Sequence, residues 1–189
     1  ILVAAIFAGL VYLFAWSSIF SVSTVTVTGA PTPEIEKTIT QIAGVLPGEK
    51  LARVEPRAIS HRITQLKWIK RVDISRNWIS GRVNLAITPR TPSAYFNGAT
   101  IDASGTIFIL PGFAGGELPR VSAPTPKLGV AAIDLFQNLP GDFRSHINSL
   151  SAQNDANFAM QISLGGRDLK VLWGKNEKSS LKIQVIQAL

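Results

Sequence analysis

The chain has 189 residues, a formal net charge of +7 at pH 7 and no cysteine. Without cysteine it has neither a disulfide framework nor a thiolate metal site, and it lacks a cysteine nucleophile. About 170 residues follow the apolar run at the N-terminus, enough for one or two small domains with cores of their own.

Residues 1–19 predict a single transmembrane helix. No charged residue occurs between Ile1 and Phe20, and a helix of that length spans roughly 30 Å, the thickness of the hydrocarbon core of a bilayer. A cleaved signal peptide has a shorter apolar region that ends in small residues, whereas this run ends with Trp16, Ile19 and Phe20. A helix packed on the core of a small soluble domain would show a polar face, which this run lacks. We therefore expect this run to span a membrane.

The distribution of basic residues predicts the orientation of this helix. The cytoplasmic flank of a membrane span is normally rich in Lys and Arg, but neither occurs between Ser17 and Glu36. The C-terminal part is therefore expected outside the cytoplasm, as in a single-pass type II membrane protein. Because the chain begins with Ile rather than Met, we take it to be a fragment.

Most of the positive charge precedes Pro92. Residues 20–91 contain 11 Lys or Arg and 5 Asp or Glu, whereas residues 92–189 contain 8 and 7. A strongly basic domain can mark a nucleic-acid-binding protein, but outside the cytoplasm it would meet lipid headgroups and cell-wall polymers instead. We favour a solvated basic face and predict no nucleic-acid partner.

A strand and two helices are predicted first in the extracytoplasmic part. Val25 and Val27 alternate with threonines in a strand that ends at Gly29. Two helices of about three turns begin at Pro33 and Pro56. Their apolar stripes are Ile35, Ile39 and Ile42 in the first helix and Ile59, Ile63 and Leu66 in the second. Helices this short need tertiary burial to be stable.

The segment from Trp68 to Pro92 predicts a two-stranded hairpin. Apolar and polar side chains alternate on both sides of the turn at residues 77–81. An isolated hairpin is marginal in water, so its apolar face must be covered. The two preceding helices can provide that cover. The predicted order is therefore β-α-α-β-β, with both helices on one face of a three-stranded sheet.

The second half predicts a mixed β domain with flanking helices, so that the fold class is α+β. Two strands flank a turn at Asp102–Gly105, and residues 111–126, rich in Pro and Gly, are predicted to form a loop. A helix then ends at Pro140. Three strands follow, at residues 147–152, 158–164 and 169–173. A last helix from Glu177 has the predicted stripe Leu181, Val185 and Ala188.

No pattern in the sequence predicts an active site. The two histidines, His61 and His146, have no partners at catalytic or metal-ligand spacing. The sequence Asp102-x-x-Gly105 is typical of a hairpin turn, whereas an aspartic-protease loop needs Asp-Thr/Ser-Gly and a second carboxylate. The glycine pair at residues 165–166 lacks the strand-loop-helix context of a phosphate site. We expect no enzymatic activity, no cofactor, no metal and no small-molecule substrate.

Four segments carry a resemblance to a known family. They are residues 20–29 (FSVSTVTVTG), 66–78 (LKWIKRVDISRNW), 85–94 (LAITPRTPSA) and 100–108 (TIDASGTIF). Their order and spacing after one apolar span resemble those of the FtsQ (DivIB) family of bacterial cell-division proteins, of the actinobacterial type.

This resemblance implies a domain organisation and a function. Residues 20–91 would form a POTRA domain, and residues 92–189 an FtsQ-type β domain that is incomplete at its C-terminus. Proteins of this family are non-enzymatic scaffolds of the divisome in the septal cell membrane. The implied partners are the lipid bilayer, the membrane proteins FtsB and FtsL, and further FtsW, FtsI and FtsK. The resemblance places the FtsB site at a sheet edge beyond Leu189.

Two other functions remain open. POTRA modules also act as chaperones or adaptors in protein transport, although such proteins carry repeated modules and a membrane barrel. A wall-modifying enzyme with its catalytic part outside the fragment is the second alternative. A short basic tail before the span and one further strand after Leu189 would favour cell division.

Ile74, Arg76 and Trp78 are the candidate partner-binding residues, because the resemblance places septal recruitment on this strand and its turn. Arg and Trp are often dominant at protein interfaces. Ile74 is in phase with Val72 and could instead belong to the core, and Trp78 could cap the hairpin. We expect Arg76→Glu to leave the fold intact while weakening septal recruitment.

Overall fold

The chain forms two compact units, Ile1–Arg90 and Thr91–Leu189. They are seen in a computed structural model, which describes residues 2–16, 20–113, 115–116 and 118–188. Each unit contains helices and one β-sheet. The mixture of helices and sheets confirms the predicted α+β class.

The first helix, α1, covers Leu2–Trp16. It lies within the predicted transmembrane segment, of which residues 1 and 17–19 fall outside the described residues. In the described part of the chain, no helix meets the length and apolarity that a membrane crossing requires. The membrane span at residues 1–19 therefore stays a prediction.

The first unit has the predicted β-α-α-β-β order. Its elements are β1 (Thr24–Thr28), α2 (Pro33–Ala43), α3 (Pro56–Ile63), β2 (Ile69–Asn77) and β3 (Arg82–Pro89). The sheet order is β1-β3-β2, with β1 parallel and β2 antiparallel to β3. Helix α3 has eight residues and is thus shorter than the three turns predicted.

The core of the first unit lies between the sheet and its two helices. Strand β3 buries every second side chain, Val83, Leu85 and Ile87, while the residues between them are more exposed. The helices contribute Ile39 and Ile63, both fully buried. One face of the sheet is therefore apolar and covered, as the alternation predicted.

Helix α2 has well-defined signals at both ends. The Thr32 hydroxyl accepts a hydrogen bond from the Ile35 amide at 3.4 Å, and Pro33 occupies the first turn. Gly44 ends the helix in the left-handed conformation, where its amide donates to the carbonyls of Thr40 and Gln41. These caps explain why the helix bounds could be predicted from the sequence.

The described residues of the second unit form a seven-stranded sheet and three helices. The strands are β4 (Ala94–Phe96), β5 (Ala99–Ile101), β6 (Ile107–Phe108), β7 (Arg120–Ser122), β8 (Ile147–Asn154), β9 (Asn157–Leu164) and β10 (Arg167–Gly174). The helices are α4 (Pro126–Gln137), α5 (Gly141–Arg144) and α6 (Ser179–Gln187). The sheet order is β10-β9-β8-β7-β4-β5-β6.

Strand β7 corrects the prediction of a loop at residues 111–126. It lies between β4 and β8 and pairs in parallel with both. Val121 points into the core at 3% exposure, whereas Arg120 and Ser122 are exposed. The strand has only three residues, and parallel partners lie far away in the sequence, so local patterns could not reveal it.

Helix α4 packs against one face of this sheet. It buries Ala132, Ile133 and Leu135. A Cβ added at Gly129 would lie 2.5 Å from the Phe96 ring, so the helix approaches β4 more closely than a larger residue allows. The opposite face of the sheet carries mostly polar side chains.

Helix α6 corrects the predicted stripe of Leu181, Val185 and Ala188. The structure buries Ile183 and Ile186, whereas Leu181 and Val185 are 58% and 57% exposed. Both stripes are apolar and have helical spacing, so periodicity alone cannot choose between them.

The turn at Asp102 is the structural turn that the sequence predicted. The Asp102 carboxylate accepts hydrogen bonds from the amides of Ser104 and Thr106, both at 2.9 Å, and from the Ser104 hydroxyl at 2.6 Å. The Gly105 amide donates to the Asp102 carbonyl at 3.0 Å. The carboxylate is thus engaged in holding the turn.

Gly29 and Gly48 form a matched pair for testing the packing of the first unit. Both have positive φ, +80° and +88°, but an added Cβ at Gly29 would lie 2.1 Å from the Ile87 carbonyl oxygen, whereas Gly48 has open space. We expect Gly48→Ala to lower the free energy of unfolding by about 1–2 kcal/mol, the cost of the left-handed conformation. Gly29→Ala should cost clearly more, because β3 must also move. Urea unfolding of the full chain measures both, and equal losses would contradict the close approach.

Candidate partner-binding surfaces

Arg76 connects strand β2 to the loop between the two helices of the first unit. It pairs with Val83 in the sheet register, and since Val83 is buried, Arg76 lies on the helix-covered side. Its Nη1 donates hydrogen bonds to the carbonyls of Leu51 at 3.1 Å and Val54 at 2.8 Å. The side chain therefore satisfies two backbone acceptors of that loop.

Trp78 packs against both Arg76 and the start of the first unit. The Arg76 guanidinium carbon lies 5.3 Å from the centroid of the Trp78 ring, within cation–π range. The rings of Phe20 and Trp78 meet edge to face, with centroids 6.2 Å apart. Trp78 is half-buried. These contacts agree with the interpretation that Trp78 caps the hairpin.

Ile74 lies between core and surface. It pairs with Leu85 in register and is half-buried. It also lines an open depression of about 420 Å³ beside α3, together with Pro56, Ser60 and His61. The structure thus gives Ile74 some exposed area but places Arg76 and Trp78 in a separate, mutually packed cluster.

The contacts of Arg76 argue against the expectation that Arg76→Glu leaves the fold intact. A carboxylate at this position could not donate to the Leu51 and Val54 carbonyls. It would also place a negative charge beside those acceptors. Loss of function in that variant would therefore mix unfolding with loss of an interface.

Ile79 is an exposed apolar residue that the sequence reasoning missed. It follows Trp78 in the hairpin turn and is 98% exposed. The Asn77 side-chain oxygen accepts hydrogen bonds from the amides of Ile79 and Ser80, both at 3.0 Å, which hold the turn. The sequence could have identified Ile79, because it is an apolar residue inside a turn, where polar residues are normal.

A second apolar surface lies in the other unit, where β10 meets α6. We call it the β10–α6 groove, and it is lined by Val171, Leu172, Trp173, Leu181, Lys182, Val185 and Ile186, with a volume of about 280 Å³. Leu172 is 79% exposed. The sequence analysis predicted that Leu181 and Val185 are buried, and for that reason it did not identify this surface.

Two features make the β10–α6 groove a candidate docking site. The Lys182 ammonium donates to the carbonyls of Trp173 at 2.8 Å and Lys175 at 2.6 Å, which ties α6 to the end of β10. In addition, β10 lies at the edge of the sheet, where it pairs only with β9 among the described residues.

Ser163 and Asp168 form a close pair of polar side chains in the second unit. The Ser163 hydroxyl donates to the Asp168 carboxylate at 2.5 Å, and among the described residues the Asn148 side chain is the other side-chain partner of this exposed pair. His146 meets Ser163 only through its backbone carbonyl, which accepts the Ser163 amide. In the described residues no group of three His, Asp or Glu side chains could hold a metal.

Comparisons with known proteins agree on one family. The family model of the FtsQ-type POTRA domain matches residues 20–90. The chain is similar to the cell division protein FtsQ of Salinibacter ruber, with 26% identity over 170 residues, 87% of this chain and 65% of the relative. It is also similar to FtsQ of Mycolicibacterium smegmatis, with 26% identity over 196 residues, 100% of this chain and 57% of the relative.

A third relative is the cell division protein FtsQ of Corynebacterium glutamicum. Its identity is 26% over 113 residues, 57% of this chain and 50% of the relative. The chain thus spans between half and about two thirds of the length of the curated relatives it matches.

The role of Arg76 can be tested against Arg82, an exposed arginine in the same hairpin. We expect Arg76→Ala to lower the free energy of unfolding by about 2 kcal/mol, because two carbonyls lose a charged donor. Arg82→Ala should change it by less than about 0.5 kcal/mol. Urea unfolding of the full chain, followed by tryptophan fluorescence, measures the difference. Equal stability of the two variants would show that the bonds to Leu51 and Val54 contribute nothing.

Proposed function

Because the chain belongs to the FtsQ (DivIB) family of bacterial cell-division proteins, we propose that it acts as a non-enzymatic scaffold of the divisome. In this function it is anchored in the cell membrane and joins other division proteins through its two extracytoplasmic units. The observation that carries the proposal is the β10–α6 groove, an exposed apolar surface beside a strand that pairs only with β9 among the described residues.

The geometry of the groove suits strand addition. An extended segment can pair with the free edge of β10 and place an apolar side chain against Leu172. Its neighbouring residues can then cover Leu181 and Val185 on α6.

We propose that the FtsB homologue, together with FtsL, binds at this surface, and that the sheet edge which the resemblance places beyond Leu189 forms the rest of the same site. Both are membrane proteins, so a shared bilayer raises their effective concentration near the groove. A modest apolar contact is then sufficient for assembly. FtsW, FtsI and FtsK are further partners in this proposal, through surfaces that we do not assign.

Residues 1–19 supply the membrane anchor in this proposal. The charge-free run and the absence of Lys and Arg up to Glu36 support a type II orientation, with both units outside the cytoplasm. The anchor holds the units in the membrane plane, where the septum assembles.

We propose that septal recruitment uses the hairpin turn of the first unit. Ile79 forms its exposed apolar tip, and the cluster of Arg76, Trp78 and Phe20 holds that tip in place. Arg76 and Trp78 thus support the recruitment surface, and Ile74 extends it beside α3.

The docking of FtsB is tested by Leu172→Glu. We expect at least about tenfold less co-purified FtsB homologue, because a carboxylate replaces an apolar side chain that the partner would bury. The control is Leu46→Glu, in which the substituted side chain is 70% exposed in the first unit. Both variants should fold normally. Undiminished co-purification with Leu172→Glu would remove the groove from the proposal.

Septal recruitment is tested by Ile79→Glu in a chain that carries a C-terminal fluorescent protein able to mature outside the cytoplasm. The unaltered chain should give a septal band, and Ile79→Glu a signal spread around the membrane, because the apolar tip is lost while the fold is kept. Leu46→Glu again serves as the control. A septal band with Ile79→Glu would contradict the recruitment surface.

A further inference from the structure

A row of side chains crosses the open face of the seven-stranded sheet. Tyr95, Arg120, Ser149, Gln161 and Lys170 stand in register on β4, β7, β8, β9 and β10. We call these five residues the polar row. Their neighbours along the strands point the other way, into the core beneath α4.

The polar row lies in a cleft of about 540 Å³, within the size range of ligand sites. Asn97, Ser122 and Ser151 also line it, and none of its lining residues carries a carboxylate. The cleft therefore offers two cations and a set of hydroxyl and amide groups without a compensating anion.

The polar side chains of the cleft are available to bind a molecule from outside this chain. Arg120 lies over the Tyr95 ring, 5.9 Å from its centroid, and Tyr95 packs against Phe113 at 6.4 Å. This contact positions the guanidinium and covers the ring. The side chains of Ser149 and Gln161 make no hydrogen bond to any described residue, and neither Arg120 nor Lys170 forms an ion pair within the described part.

One acidic residue stands near the end of the row. Asp168 is two positions from Lys170 on the same strand, but it does not line the cleft. Its carboxylate accepts hydrogen bonds from Ser163 at 2.5 Å and from the Asn148 amide at 3.5 Å. It therefore limits the cleft on that side and repels anions that extend past Lys170.

The spacing of the two cations identifies the ligand. Arg120 and Lys170 are separated by three strand intervals, or about 14 Å at about 4.8 Å for each interval. In an extended peptide, the side chains of residues i and i+4 lie on the same side and are also about 14 Å apart. We propose that the polar row binds an extended acidic segment of a partner protein, with one carboxylate on Arg120 and the next on Lys170.

Ser149 and Gln161 lie between the two cations and complete the site. Their side chains can both donate to and accept from the backbone of a segment that crosses the strands. A polymer of sugar rings fits less well, because the Tyr95 face that would stack on a ring is covered by Arg120. This surface is distinct from the β10–α6 groove, so either proposal can fail without the other.

The test uses the full chain in detergent micelles and fluorescein-labelled peptides. Each peptide has about nine residues, so that it covers the distance between Arg120 and Lys170 and extends beyond both. The first peptide has Glu at positions i and i+4 with Ser and Thr between them. The second has Gln in place of both Glu residues, and the third has Glu at i and i+3, which point to opposite sides. Fluorescence anisotropy gives the affinities. We expect binding of the first peptide, and weaker binding of the other two.

Variants of the chain locate the site. Arg120→Gln and Lys170→Gln should each lower the affinity for the first peptide about fivefold, which is the effect of losing one solvent-exposed ion pair. Lys127→Gln, which removes the same charge from α4 on the other face, should leave the affinity unchanged. Added salt should weaken binding, because the ion pairs are exposed. Unchanged thermal unfolding of both variants shows that the sheet is kept.

Four outcomes would overturn the proposal. They are no binding of the first peptide, equal binding of the Gln peptide, equal binding of the i and i+3 peptide, and equal weakening by Lys127→Gln. Polygalacturonate, a carboxylated polysaccharide, serves as a competitor. If it binds the cleft with Arg120 and Lys170 while the first peptide does not, the ligand is an anionic glycan and the peptide assignment is wrong.

Discussion

The alternation of apolar and polar side chains along the strands is the constraint on which the rest of this structure depends. In both units one face of the sheet is covered by helices, and the other faces water. Strand β3 shows this most clearly, since Val83 and Leu85 are fully buried between more exposed neighbours. A short hairpin and short helices are each marginal alone. They are stable together because they bury the same face.

The same constraint produces the surfaces that we propose for function. The faces without helices keep polar side chains, and in the second unit these line up across the strands as the polar row. The sheet edges keep unpaired backbone groups, and at β10 this edge adjoins the exposed side chains Leu172 and Leu181. The described part of the chain thus offers several distinct surfaces for contact with other molecules. That is the property a scaffold needs.

Arg76 is an exception to the alternation of apolar and polar side chains. It occupies a position on the helix-covered side, yet it carries a charge. The carbonyls of Leu51 and Val54 accept its hydrogen bonds, and the Trp78 ring covers its guanidinium. The half-buried charge is tolerated at this position because Nη1 donates to two backbone carbonyls. An arginine next to a tryptophan in a strand is typical of an interface, but here the pair first holds the hairpin turn and its exposed tip.

The sequence by itself determined the elements that rest on local signals. The caps of α2, the β2–β3 hairpin, the Asp102 turn and the long strands β8 to β10 all depend on residues a few positions apart. Tertiary structure alone decided three other features: the pairing of β7 with two distant strands, the choice of Ile183 over Leu181 as the buried side of α6, and the contacts of Arg76. The reason is physical, because each of these is settled by the free energy of contacts between residues far apart in the chain. Local periodicity is the same for both sides of α6, and only the partner against which a helix packs makes one side the core.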